Sequence, residues 1–310
     1  MNCLWVLGAS DPEMEAIERL LSRAGQKVAY ATVAGHRVTP DSAYLADGTN
    51  CGFPEGLVPV FVECMVHGIK PWLVVDHHRP GDPGYQVPPE EFLPGSSIGQ
   101  VISVLAYQDN LPLDGADAAW ASPYPVSPSL FPAGTIRYSP TAGWLVSSRP
   151  SRYNPVSWHR VSQEVLFVAA ADHCLAAAYQ GRCPGVDPDE LMRWRAKTRA
   201  RYQGRPVQAV LEDIARARNA LAQAPRILIG GVPVADLRGQ EVPELPEAGA
   251  REGIPFLATP RTRPGTRTKV VLQCAPPEVL AAWPEWAARN GITDLYGGDP
   301  ERGFAGGYLA

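Results

Sequence analysis

Three consecutive side chains, Asp76, His77 and His78, carry the densest chemistry in the chain, in the stretch VVDHHRPGDPG at 74–84. An apolar run ends there in a carboxylate and two imidazoles and then turns at glycine and proline. Carboxylate oxygens are hard ligands and imidazole nitrogens borderline ones. A strand end bearing both can hold a divalent cation, or let one side chain orient another. Other acids also follow apolar runs: Asp11, Glu13 and Glu15 after CLWVLGA, Glu63 within VFVECMV, and Asp172 within VAAADHCLAAA. Most of these have a plainer use. Asp11 before Pro12 makes a helix cap and first-turn pair, Glu13 and Glu15 suit the helix dipole, and Asp172 suits a solvent-facing helix position. Glu63 differs, because an unpaired carboxylate ending an apolar strand is costly to bury and calls for a cation, with a surface turn as the plainer reading. His36 and His67 read as structural or exposed, and His159 and His173 carry no assigned role.

The elements that must position these groups are legible as alternating runs. Apolar stretches at 3–9, 27–34, 58–66 and 71–78 predict strands. Between the first two, the spacing of Met14, Ile17, Leu20 and Leu21 predicts a helix over 12–24, and 95–106 reads as another. Uninterrupted apolar strands joined by crossovers argue an α/β fold, a parallel sheet with helices on both faces. Ligands of such sheets gather beyond the carboxyl ends of the strands, where the acids fall. Residues 108–160 are rich in Pro, Ser, Trp and Tyr around the strand-like TIRY and GWLVS, and predict an inserted hairpin or lid. The run 164–181 reads as a long buried helix or a strand passing into one. We expect a first domain over 1–199, a helical linker over 200–224 and a smaller C-terminal α/β domain over 225–310, with no internal repeat.

Composition narrows the classes. The 310 residues carry a net charge of −4, which excludes a strongly basic nucleic-acid coat. The 29 glycines and 32 prolines predict many turns. Six scattered cysteines without a CxxC pair read as reduced, mostly buried thiols rather than a disulfide frame or zinc knot. The first residues turn acidic too soon for a signal peptide, and no run of about 18 uncharged apolar residues would span a membrane. A cytoplasmic protein with no membrane partner is the expectation. Arg193, Arg195, Lys197, Arg199 and Arg201, with Trp194 and Tyr202 interleaved, read as a solvated helical run, with nucleic-acid contact as the lesser reading.

The strand–DHH–turn segment resembles the signature of the DHH phosphoesterase superfamily, which includes manganese-dependent inorganic pyrophosphatases, single-strand-specific exonucleases and phosphodiesterases of short oligonucleotides and cyclic dinucleotides. The family's first motif, Gly-His-x-Asn-Pro-Asp-x-Asp-Ser-Ile in the pyrophosphatases, is met by Gly8-Ala9-Ser10-Asp11-Pro12-Glu13-Met14-Glu15-Ala16-Ile17. Both metal-binding aspartates fall on glutamates, and the histidine falls on Ala9, which cannot ligate. The second motif falls on Glu63, the third is intact at Asp76, His77 and His78, and the fourth matches Asp172. Ser96 and Ser97 match a serine-rich helix start. GGDPERGFAGGY at 297–308 loosely matches the glycine-rich motif of a DHHA1 domain, without its histidine. The resemblance covers nearly the whole chain outside 108–160.

What the resemblance implies is a metal-dependent hydrolase of a nucleotide-type phosphodiester or phosphoanhydride, using one or two Mn²⁺ or Mg²⁺ ions. Asp76, His77 and His78 would be the catalytic residues, His78 facing the phosphoryl group. Asp11, Glu13, Glu15, Glu63, His77 and Asp172 would hold metal. Ser96, Ser97, Gly297, Gly298, Arg302, Gly303, Gly306 and Gly307 would bind a nucleotide or short single-stranded nucleic-acid substrate. The oligomeric state, homodimer included, is left open. Two alternatives stand beside this. One is a non-catalytic nucleotide- or partner-binding protein on the same scaffold. The other is an enzyme of different chemistry that draws Arg137, Tyr138, Arg152 or His159 from the insert.

Overall fold

The strand β1 (Cys3–Leu7) is buried at every position, because it lies inside a sheet with parallel neighbours on both sides. The computed structural model describes residues 2–108, 134–148, 158–260 and 267–310. The chain divides into two units. One comprises Met1–His173 with Pro184–Val186, and the other Cys174–Cys183 with Asp187–Ala310.

In the first unit, α1 (Pro12–Arg23) begins where the Asp11 carboxylate accepts the Met14 N–H at 2.7 Å, and it buries the expected stripe of Met14, Ile17, Leu20 and Leu21. Then follow β2 (Lys27–Val33), β3 (His36–Arg37), β4 (Gly48–Thr49), β5 (Val58–Val62) and β6 (Leu73–Val75). The sheet order is β3-β2-β1-β5-β6, with β4 also on β2; the pairs β2-β1, β1-β5 and β5-β6 are parallel. The chain steps from β1 to β2 in one direction and reaches β5 in the other. The order therefore reverses between β1 and β5, and their carboxyl ends frame the crevice where open α/β sheets bind ligands. The helices α2 (Phe92–Gly95) and α3 (Ser97–Tyr107) come next, followed by a three-stranded antiparallel sheet of β7 (Ile136–Ser139), β8 (Gly143–Ser147) and β9 (Trp158–Arg160), then α4 (Gln163–His173). The expected hairpin in the insert is thus present at TIRY and GWLVS, while Arg152 lies outside the described residues.

The second unit holds α5 (Leu175–Tyr179), α6 (Pro188–Gln203), α7 (Val207–Gln223), β10 (Arg226–Ile229), β11 (Val232–Leu237), α8 (Leu245–Glu252), β12 (Phe256–Ala258), β13 (Lys269–Gln273), α9 (Pro277–Arg289), β14 (Ile292–Asp299) and β15 (Phe304–Leu309). Its mixed sheet runs β10-β11-β12-β13-β15-β14, with only β11-β12 parallel. Alternate strand residues feed two cores. Ala235, Phe256 and Val271 join α7, and Val234, Leu257 and Val270 join α9.

Two expectations need correction. The segment 200–224 is helical but not a linker: Ala200, Val210, Ile214, Ala217 and Leu221 are buried in the second unit's core. Charged residues on the outer faces of α6 and α7 hide this apolar stripe in the composition, and the units divide at 173–187 instead. The run 164–181 is neither one helix nor a strand, because the backbone leaves the helical region at Cys174 and separates α4 from α5.

Candidate metal centre

Three segments converge beyond the carboxyl ends of β5 and β6. Glu63 follows β5 directly, is 7% exposed, and donates its N–H to the Val75 carbonyl at 3.0 Å. Its φ of +49° lies in the left-handed region, which costs a non-glycine residue about 1–2 kcal/mol. Such strain concentrates where a side chain must be aimed. Asp76 follows β6. Its Oδ1 accepts the N–H groups of His77 and His78 at 2.7 and 3.1 Å and lies 2.8 Å from His78 Nδ1. Its Oδ2 accepts the Tyr44 hydroxyl at 2.9 Å. Gln100, on α3, brackets the Asp76 backbone, accepting its N–H at 3.2 Å and donating to its carbonyl at 3.0 Å. His77 is fully buried, with Nε2 3.0 Å from Asp172 Oδ2 and 3.5 Å from Glu63 Oε1. Glu63, His77, His78 and Asp172 each offer a ligand atom, all within 4.8 Å of one another.

More acid surrounds this cluster. Glu13, on the inner face of α1, is 1% exposed; its Oε1 accepts the Ile98 N–H at 3.0 Å, and its Oε2 is buried with no hydrogen-bond partner among the described residues. Burial, then the charges of Asp172 and Glu63, hold the Glu13 carboxyl well above the usual range. Burial pushes Glu63 up to about 8; the charge of His78 opposes this, and those of Asp11, Asp172 and Asp76 add to it. Asp11 is raised to about 6 by burial and by Asp172. Burial would raise Asp76 too, but the hydrogen bond and charge of His78, joined by Tyr44, hold it below the usual range. Neither Glu13 nor Glu63 has a lysine or arginine ion-pair partner among the described residues. Buried carboxylates that lift one another are relieved by a divalent cation, and two carboxylates with two imidazoles form a donor set that several such ions accept. The residues present fit a metal ion.

The sequence expectations sort clearly against this geometry. Glu63, His77 and Asp172 come together, and His78 joins them as a potential ligand. Asp11 serves as the cap of α1 and Glu13 faces inward. Glu15 does not join: residues two apart on a helix point about 200° apart, so Glu15 turns outward, half-exposed, and pairs with Arg19 at 3.9 Å. Ser96 is spent as the cap of α3, donating to the Leu93 carbonyl at 2.9 Å and accepting the Gly99 N–H at 3.2 Å, and Ser97 beside it is fully buried.

In the second unit, the glycine-rich end is an antiparallel hairpin. A Cβ on Gly306 would lie 2.3 Å from the Tyr296 hydroxyl, and one on Gly307 2.5 Å from Ile292, so packing accounts for both. Gly297 and Gly298 sit at a bulge in β14, with Arg302 and Gly303 in the turn that follows. Arg195 and Arg199 of the basic run are engaged by Glu247 and Glu244, which removes them from any nucleic-acid surface. In the insert, Arg137 stacks on Trp158, Tyr138 packs on Trp144, and buried His159 lies 3.1 Å from the Ser148 hydroxyl.

Tyr44, Gln100 and His173 belong to the site and were not singled out from sequence. Only His173 carried a signal, its place next to Asp172. No family model, curated protein or solved structure matches the chain. No helix among the described residues is long and apolar enough to cross a membrane.

Proposed function

We propose that the chain is a divalent-metal-dependent phosphoesterase acting on a nucleotide-type phosphodiester or phosphoanhydride. The supporting observation is the convergence of Glu63, His77, His78 and Asp172 within 4.8 Å of one another beyond the carboxyl ends of β5 and β6, next to the point where the strand order reverses. Glu63, His77 and Asp172 would hold the ion. When bound, such an ion supplies Lewis-acid polarisation of a phosphoryl oxygen and a nucleophile made from water. His78, whose side chain is 35% exposed, is the member of the set that reaches toward a ligand in the crevice. The Asp76 carboxylate fixes the His78 ring by accepting its Nδ1–H, which turns Nε2 outward. Tyr44 holds Asp76 by its second oxygen. Glu13, buried against the start of α3 with its carboxyl held well above the usual range, is a group that a bound cation would help to ionise.

A second reading, a protein that binds a nucleotide without turnover, draws on two observations: Ala9 offers no ligand, and Glu15 turns away. The experiment that separates the two is hydrolysis of an aryl phosphodiester, cyclic dinucleotides, short oligonucleotides and pyrophosphate with Mn²⁺ or Mg²⁺. His77→Ala and Asp172→Asn run alongside. Metal-dependent turnover lost in both variants supports the phosphoesterase. No turnover on any substrate, with metal binding too weak to detect, overturns the phosphoesterase and favours the binder, which retention of a nucleotide by the chain would support.

A further inference from the structure

His173 closes α4 one residue after Asp172, and it is 1% exposed. Its Nε2 lies 2.9 Å from the Val87 carbonyl oxygen and its Nδ1 3.0 Å from Nδ1 of His77. A carbonyl oxygen only accepts, so the hydrogen of a neutral His173 ring sits on Nε2. Its Nδ1 is then a lone pair, and the hydrogen between the two Nδ1 atoms belongs to His77. The reverse arrangement would set the Nε2 lone pair of His173 against the lone pairs of the Val87 oxygen. With its hydrogen on Nδ1, His77 turns Nε2 to the space it shares with Glu63 Oε1 and Asp172 Oδ2, where a lone pair is tolerated when a cation lies between and a second proton takes its place when none does.

We propose that His173 is a positioning residue that fixes, through the Val87 carbonyl, which nitrogen of His77 meets the cation. The inference rests on the reading of this cluster as a metal centre and adds a residue to it. The packing holds the relay in place. The two rings are stacked with centroids 5.1 Å apart, and a Cβ on Gly95 would come within 3.0 Å of His173 Cε1 and 2.8 Å of Val87. The choice of an imidazole has a physical reason. Metal-bound histidines commonly donate their second N–H to a carboxylate or carbonyl. A further carboxylate here would add charge beside Glu13, Glu63 and Asp172, whereas a neutral ring accepts the same hydrogen without doing so. One helix end thus serves twice, Asp172 as ligand and His173 as the lock on another ligand.

The test uses the full chain with two variants. In His173→Asn the side-chain oxygen replaces the Nδ1 acceptor; in His173→Phe the ring remains and the acceptor is lost. Long-range ¹H–¹⁵N correlation on histidine-labelled, metal-free protein in mildly alkaline buffer, where unperturbed imidazoles are neutral, reads the tautomer of His77. Paramagnetic resonance of free Mn²⁺ reads affinity. The expected result is Nδ1–H on His77 in the native protein and in His173→Asn, whose Mn²⁺ affinity stays within about threefold of native. In His173→Phe the Nε2–H form appears and Mn²⁺ affinity falls about 10–100-fold. An Nε2–H form without a hydrogen on Nδ1 in the native protein, or native affinity in His173→Phe, overturns the proposal. Should His173→Phe not fold, the native and His173→Asn tautomers decide. If native protein binds no Mn²⁺, the metal-centre reading fails on its own, while the tautomer still reports whether His173 sets His77.

Discussion

Each unit of this protein buries a pair of glutamates, and the two treat them in opposite ways. In the second unit Glu247 is fully buried and Glu244 is 4% exposed. Arg195 Nε and the Tyr179 hydroxyl both donate to Glu247 at 3.0 Å, while Arg199 engages Glu244, which also accepts from Gln203 at 2.7 Å. Burial alone would raise the Glu247 carboxyl, but Arg195, Arg199 and Tyr179 outweigh it and hold it below the usual range. In the first unit Glu13 and Glu63 are as deeply buried, have no arginine or lysine partner among the described residues, and are both raised. Where the chain meets its buried acids with its own cations, the acids are architecture. Where it sets them among more acid, with His77 beside Glu63, the cluster fits a cation supplied from outside.

The largest test of that contrast lies in the second unit. Arg195→Ala leaves Glu247 buried beside a single arginine, and urea unfolding should show a loss of about 3–5 kcal/mol. An unchanged midpoint would mean that the pair is not what compensates the buried charge. Next in size is the effect of ion on the first unit. Mn²⁺ at a hundredfold excess over its dissociation constant should stabilise the folded chain by about 2.7 kcal/mol, measured by thermal unfolding. Glu63→Gln should remove most of that gain; if the gain survives, Glu63 is not a ligand.

The pH dependence should separate the clusters by sign. Glu63 has a folded value of about 8 against an ordinary 4.5. Between these values the folded metal-free chain keeps a proton that the unfolded chain releases, so its stability falls as pH rises through the window. Because an ion competes with that proton, the Mn²⁺-induced shift should grow over the same range. Glu247 is lowered, so its contribution is present above the ordinary value of 4.5 and is lost as pH falls below it. Thermal midpoints across both ranges, with and without Mn²⁺, check the two slopes. The smallest expected effect is that of Glu15→Ala, an outward residue paired among the described residues with Arg19. Stability should change by less than about 0.5 kcal/mol, and Mn²⁺ titration should match the native protein.

Much of the first unit was legible beforehand, and the reason is local. The strand runs, the cap at Asp11 and the buried stripe of α1 follow from residue spacing alone. Asp76-His77-His78 and Glu63 stood out because polar groups ending apolar strands have few cheap ways to exist. The misreadings have local causes too. Glu15 was grouped with Glu13 by motif register, although helical geometry sends them to different faces. Ser96 matched a binding motif and is spent as a cap. The segment 200–224 looked like a linker because its charged faces outnumber the apolar stripe that packs inward.

By itself, then, the sequence determined the kinds of groups available and the elements that carry them, since both are properties of neighbouring residues. Only the tertiary structure decided which acids keep company with arginine and which with one another. It also decided which histidine nitrogen faces the cluster. The contacts that settle the cluster's own arrangement, Glu13 with Ile98, His173 with Val87 and His173 with His77, join residues 85, 86 and 96 positions apart. Charge compensation and tautomer are set by whatever lies within a few ångströms in space, and spacing along the chain carries no record of that.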